Sequence, residues 1–216
     1  MKIEIWILFG ICNLLFQVLS MSKGIFIVLY GVNNLGKTTQ AQLLVERLNK
    51  AGVQATYLKY PIYDIEPSGV LLNEYLRKGN PFHLTPREVQ VLYTLNRTQY
   101  APQLETMLES GTTVVAEDYT GTGIAWGMGT GVEQAFLARI NNHLRKEDVA
   151  ILIDGDRFIE STEAGHHHES DDELLVRVRQ IHQKLGQEYS WHTVKANEDK
   201  EKVHEAIWAY VTSHTN

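Results

Sequence analysis

A chain of 216 residues with 20 Lys and Arg against 26 Asp and Glu, and a formal net charge of -6 at pH 7, lacks the basic excess of a polyanion binder, which argues against a large nucleic-acid surface. Its single cysteine, Cys12, builds no disulfide framework and agrees with a reducing compartment. At roughly 100–200 residues per domain, the length fits one well-buried unit.

Residues 1–20 differ from the rest, because Ile5 to Leu19 is interrupted only by Gly10, Asn13 and Gln17. That run falls short of the roughly 20 apolar residues of a membrane span. Lys2 precedes it, yet no small-x-small cleavage site follows. Met21-Ser22-Lys23 stands directly before the first strand. The expectation is an upstream extension over 1–20, translation beginning at Met21, and one cytoplasmic domain over 21–216 without stable membrane association.

Gly24 to Tyr30 is a β-branched and aromatic run, the pattern of a strand buried on both faces. It leads into Gly31-Val32-Asn33-Asn34-Leu35-Gly36-Lys37-Thr38-Thr39, which fits G-x-x-x-x-G-K-[ST]. Thr39 to Lys50 then sets Ala41, Leu44, Val45 and Leu48 at helical spacing, with Gly52 as a stop. Strand, glycine loop and helix in this order make a P-loop. The backbone N–H groups and the helix N-terminus aim at one anion, so Gly31, Asn33, Asn34, Leu35, Gly36, Lys37, Thr38 and Thr39 are the candidate ATP-binding residues. Lys37 reaches the terminal phosphates, and the Thr38 hydroxyl coordinates Mg2+.

Gln54 to Tyr60 predicts a second strand, ended by Pro61. Ser68 precedes a short helix that stops at Arg77-Lys78-Gly79, and Thr85, Pro86 and Glu88 form an N-cap signature for another, with Pro102 as a candidate kink. Thr112 to Asp118 reads as a third strand, Thr120 to Gly131 as a loop and turn region, and Val132 to Leu144 as helical. Val149 to Asp154 is a fourth strand, residues 155–171 are polar and irregular, Leu174 to Leu185 is helical, Trp191 to Ala196 is a fifth strand and Val203 to Val211 a closing helix. The alternation predicts a three-layer α/β fold with a five-stranded parallel sheet and helices on both faces. Ligands then bind beyond the carboxyl ends of the strands, where Glu117 and Asp118 stand as candidate magnesium ligands beside Thr38.

With these residues in place, the chain from about Gly24 onward resembles the thymidylate kinase family of P-loop nucleoside monophosphate kinases. The family's F-P-x-R loop aligns with Tyr60-Pro61-Ile62-Tyr63, and its aromatic before an arginine pair aligns with Tyr93-Thr94-Leu95-Asn96-Arg97. Its D-R-[YW] block aligns with Glu117-Asp118-Tyr119, Thr122-Gly123 and Ala125-Trp126, and its R-V-R helix with Arg177-Val178-Arg179. The resemblance implies transfer of the ATP γ-phosphoryl to dTMP, giving dTDP. It makes Lys37, Arg97, Glu117 and Asp118 catalytic candidates and puts Tyr63, Tyr119 and Thr122 beside the acceptor. Tyr93 would stack on thymine, Arg97 would contact the base or its phosphate side, and Trp126 would lie under the deoxyribose. Residues 155–171 would close as a lid, and the early helices would pair into a homodimer.

Three positions depart from the family pattern: Asn33 replaces an aspartate, while Tyr63 and Asp118 replace arginines. At Asp118 the sign of the charge is reversed, which opposes an acceptor phosphate by several kcal/mol at an effective dielectric of about 20. Arg157 is the sole arginine of the lid region, and His166 to His168 read either as a solvated tract or as phosphate donors. Two alternatives follow: a deoxynucleoside kinase, for which a carboxylate near the 5′-hydroxyl is useful, and a nucleotide-binding module without transfer activity.

Overall fold

The structure, a computed structural model, describes residues 23–156 and 172–214. The extension expected over 1–20 lies outside the described residues, as do Arg157 and His166 to His168; of the expected lid, only Gly155 and Asp156 are described.

Five strands, β1 (Phe26–Tyr30), β2 (Ala55–Lys59), β3 (Thr113–Glu117), β4 (Val149–Asp154) and β5 (His192–Lys195), form one sheet in the order β2-β3-β1-β4-β5. Every pairing is parallel, as the alternation predicted. All residues of β1 and β3 are buried. Since successive strand side chains point to opposite faces, helices must cover both. The register sets Leu29 opposite Glu117 and Lys59 opposite the same Glu117, so the carboxyl ends of β1, β2 and β3 are level.

Seven helices are described: α1 (Lys37–Lys50), α2 (Ser68–Arg77), α3 (Pro86–Glu109), α4 (Thr120–Gly129), α5 (Gln134–Asn141), α6 (Asp172–Glu188) and α7 (Lys200–His214). Helices α1 and α7 pack together; Arg47 forks onto Glu205 at 2.6 and 3.2 Å and lies 4.3 Å over the Trp208 ring. Helices α3 to α6 pack on one another as a second layer. The N-terminus of α3 is a capping box: Thr85 Oγ1 accepts from the Glu88 N–H at 3.3 Å, and the Glu88 carboxylate accepts from the Thr85 N–H at 2.7 Å. Helix α3 runs through Pro102 as one element.

One expectation is corrected. The glycine-rich stretch read as a loop from Thr120 is helix α4. Glycine lowers helix propensity, but here it permits close approach. A methyl group at Gly121 would lie 2.5 Å from Trp191 Cη2, and one at Gly123 would lie 2.6 Å from Arg97 Nη2. Tertiary packing overrides the local preference. No helix among the described residues is long and apolar enough to cross a membrane.

Candidate active site

The loop between β1 and α1 turns on Gly31 (φ 137°), Asn34 (φ 63°) and Gly36 (φ 79°). At Gly31 a side chain would also strike the Ile153 carbonyl oxygen. Gly36 caps α1 with no side-chain hydrogen bond, so the first N–H groups of the helix remain for an anion. Lys37 is only 4 % exposed. Its Nζ donates to the carbonyls of Gly31 at 3.0 Å and Val32 at 2.9 Å, and it lies 3.7 Å from Asp118 Oδ1. The lysine thus folds back over its own loop.

At the end of β3, Glu117 gathers donors from two neighbouring elements. Its Oε2 accepts from Thr38 Oγ1 at 2.7 Å and from Tyr57 OH at 2.6 Å, while Oε1 lies 3.4 Å from Lys59 Nζ. Burial would raise the Glu117 carboxyl, but Lys37, Lys59 and the two hydroxyls outweigh it and hold the carboxyl below its ordinary value. Tyr57 and Lys59 were not among the sequence candidates. The available signal was their two-residue spacing, which puts both on one face of β2 beside β3.

Asp118 follows in the left-handed region, φ 63°, and its Oδ1 accepts from Thr122 Oγ1 at 2.9 Å. Burial first, then the Glu117 charge, raises its pKa despite Lys37. The adjacent carboxylates are pushed in opposite directions.

Beyond Asp118 the wall is aromatic. Tyr63 and Tyr93 pack on the small cluster of Tyr75, Leu76 and Val89, and Trp126 packs against the main core. Arg97 is 3 % exposed; its Nη1 donates to the Tyr119 carbonyl at 3.3 Å, and its Nε and Nη2 have no hydrogen-bond partner among the described residues. Burial lowers the Arg97 pKa from its ordinary value. The Tyr119 ring is mainly a core group, edge-on to Phe26 at 5.0 Å and tilted against Tyr60 at 5.1 Å. Asn96, on α3 between Tyr93 and Arg97, accepts from the Ile62 N–H at 2.8 Å and donates to the Ile62 carbonyl at 2.7 Å and to Ser68 Oγ at 3.0 Å. It fixes the loop that carries Tyr63.

One cleft of about 690 Å³ joins these groups, running from the P-loop past Lys37, Glu117 and Asp118 to Tyr93, Arg97 and Trp126. Its volume suits a small-molecule site, and every site residue predicted from the sequence lines it except Gly31, which shapes the loop beneath. The R-V-R arginines are engaged elsewhere: Arg177 Nη1 donates to the Gly129 carbonyl at 3.0 Å, and Arg179 pairs with Asp154 at 2.7 Å and Asp156 at 2.8 Å. Behind the P-loop, His182 is 1 % exposed and its Nδ1 donates to the Val178 carbonyl at 3.0 Å. Burial, with the Lys37 charge, pushes its pKa down to about 4.

The family model described as Thymidylate kinase matches residues 29–207. The human thymidylate kinase is 30 % identical over 193 residues, covering 86 % of this chain and 88 % of that one. The Danio rerio thymidylate kinase is 27 % identical over 194 residues, covering 88 % and 90 %. Among solved structures, the thymidylate kinase from Candida albicans superposes with a TM-score of 0.73 at 21 % identity, covering 88 % of this chain and 92 % of that one. The enzyme from Ehrlichia chaffeensis gives 0.72 at 19 %, covering 88 % and 99 %. A match that starts within β1 and ends within α7, carried by relatives of nearly the same extent, takes in the whole cleft: the chain belongs to the thymidylate kinase family, ATP-dependent nucleoside monophosphate kinases that convert dTMP to dTDP.

Proposed function

We propose that the cleft holds ATP and dTMP end to end and that this chain catalyses by positioning and charge stabilisation, without a covalent intermediate. The N–H groups of the P-loop and of the first turn of α1 take the ATP phosphates, and Lys37 Nζ turns from the Gly31 and Val32 carbonyls onto their terminal oxygens. Thr38 and Glu117, a hydroxyl and a carboxylate 2.7 Å apart, form a hard oxygen pair that fits Mg2+; Asp118, next in the chain, faces Lys37 and Thr122 instead. A magnesium ion held there would offset the negative charge of the phosphates. Tyr93 offers a face for the thymine ring, Trp126 bounds the sugar, and the unpartnered donors of Arg97 hold the acceptor, with Tyr63, Tyr119 and Thr122 along its wall.

The observation that carries this reading is the single cleft joining Lys37 and Glu117 to Tyr93, Arg97 and Trp126. The test is product analysis of the full chain with MgATP and dTMP: dTDP forms, and Lys37→Ala lowers turnover at least 100-fold, about 2.7 kcal/mol in barrier. Slow ATP hydrolysis that responds to no nucleotide or nucleoside would refute it and leave a nucleotide-binding module.

The surrounding assignments belong to the same proposal. The enzyme works in the cytoplasm, where ATP and Mg2+ are supplied, and residues 1–20 are not part of its catalytic domain. Residues 155–171 act as the lid. Two copies pair through α2 and α3, where Val70, Val91 and Leu95 are exposed apolar residues; sedimentation of a monomer at micromolar concentration would remove that pairing.

A further inference from the structure

Between the P-loop and the aromatic wall, the cleft carries a negative charge. Asp118 stands there, with Oδ1 3.7 Å from Lys37 Nζ and 2.9 Å from the Thr122 hydroxyl. Of the nearby cations, Lys59 lies 3.4 Å from Glu117, and Arg97, 3 % exposed, gives Nη1 to the Tyr119 carbonyl and keeps Nε and Nη2 for the acceptor on the far side of Asp118. Asn33 and Tyr63, which share this wall, are uncharged. Among the described residues, the group met on passing from the phosphate end to the aromatic end is therefore a carboxylate. Among the described residues these two contacts fall on Oδ1, and Oδ2 is the oxygen proposed to meet the ligand.

We infer that the same pocket also phosphorylates the nucleoside thymidine, with Asp118 accepting a hydrogen bond from the 5′-hydroxyl. An ionised carboxylate only accepts, and a hydroxyl donates, so the two attract where a carboxylate and a phosphate dianion repel. In the transfer, the 5′-oxygen forms its bond to the γ-phosphorus of ATP. The bond from that phosphorus to the β,γ-bridging oxygen breaks, and its electron pair leaves on ADP. The hydroxyl proton, directed by its hydrogen bond to Asp118, passes to solvent, so the products are dTMP, ADP and a proton. That dTMP is then the acceptor of the established reaction. Asp118 acts by position and sign of charge, and the inference rests on the acceptor reading proposed above.

The full-length protein with MgATP is offered thymidine and dTMP in separate reactions, and the products are resolved by anion-exchange chromatography. The thymidine reaction yields dTMP, then dTDP. Asp118→Asn, which suits the left-handed backbone, lowers kcat/KM for thymidine relative to that for dTMP at least tenfold. Asp118→Arg abolishes the thymidine reaction and lowers KM for dTMP. If dTDP forms from dTMP but thymidine yields nothing, the inference is overturned while the acceptor reading stands; no product in either reaction overturns both. Equal loss of both reactions in Asp118→Asn, with ATP affinity by calorimetry unchanged, also overturns it.

Discussion

Thr38 Oγ1 donates to Glu117 Oε2 across 2.7 Å, joining the first turn of α1 to the last residue of β3 beside the P-loop. Tyr57 reaches the same oxygen at 2.6 Å from the edge strand, so one carboxylate oxygen aligns three elements.

For that reason Glu117→Gln is expected to lower kcat at least 100-fold, about 2.7 kcal/mol, and to raise the Mg2+ concentration for half-maximal rate at least tenfold. Tyr57→Phe removes one donor and leaves Thr38 and Lys59 in place, so its effect on either quantity stays under tenfold. Steady-state rates across a magnesium titration separate the two, and an unchanged magnesium dependence in Glu117→Gln would refute the metal assignment.

Asp118 has a raised pKa in the fold, from burial and from Glu117. The folded state then holds the proton more tightly than the unfolded chain, so this group weakens folding as pH rises through the window between its unfolded value, about 3.9, and its raised folded value. Asp118→Asn is therefore expected to melt higher than the parent at pH 7, with the gap closing toward pH 3.5. Each kcal/mol of relief appears as about 2–4 °C in a chain of this size. A lower Tm for the variant at pH 7 would contradict this.

His182 gives the opposite slope. Its folded pKa is near 4 and its unfolded value is about 6.5, so the unfolded chain takes up the proton first as pH falls. Stability is fully present above about 6.5 and is lost progressively toward 4, by up to about 3 kcal/mol. His182→Leu should flatten that limb of a Tm-against-pH curve between pH 6.5 and 4.5, whatever it does to the plateau.

Two glycines of α4 should respond differently to alanine. At Gly121 the new methyl group meets the Trp191 ring at 2.5 Å and Tyr30 at 2.9 Å. Those rings stack on each other at 4.1 Å and have little room to yield, so Gly121→Ala should destabilise by about 1–3 kcal/mol. At Gly123 the methyl group meets the Arg97 guanidinium at 2.6 Å, the far end of a long side chain. Gly123→Ala should keep most of its stability and raise KM for dTMP about tenfold, near 1.4 kcal/mol. Thermal melts with acceptor titrations distinguish the two outcomes.

The P-loop was legible because its chemistry fixes both residue types and order: left-handed turns demand Gly31 and Gly36, and the phosphates demand Lys37 and Thr38. The sheet was legible because strands buried on both faces are continuous apolar runs, as at Val149–Asp154. Helix α4 was not, because its glycines answer to Trp191 and Arg97, partners distant in sequence. The roles of Tyr57 and Lys59 were hidden for the same reason, since strand order decides that β2 lies beside β3. Glu117 and Asp118 could be found as a pair, but their division of labour depends on the φ of 63° at Asp118, which residue identity alone does not specify.

Asn96 satisfies the N–H and the carbonyl of Ile62 through a single side-chain amide. That is the pairing a neighbouring strand would supply, offered here by a helix to a loop. The loop bearing Tyr63 is thereby tied to α3, the helix that also bears Tyr93 and Arg97, while its first residue, Tyr60, donates its N–H to the Glu117 carbonyl of β3 at 3.0 Å. The acceptor half therefore rests largely on α3 and the nucleotide half on α1 and β3, and the two meet where Tyr60 bonds to the Glu117 carbonyl and Arg97 to the Tyr119 carbonyl. A lineage could exchange its acceptor while its P-loop stayed still.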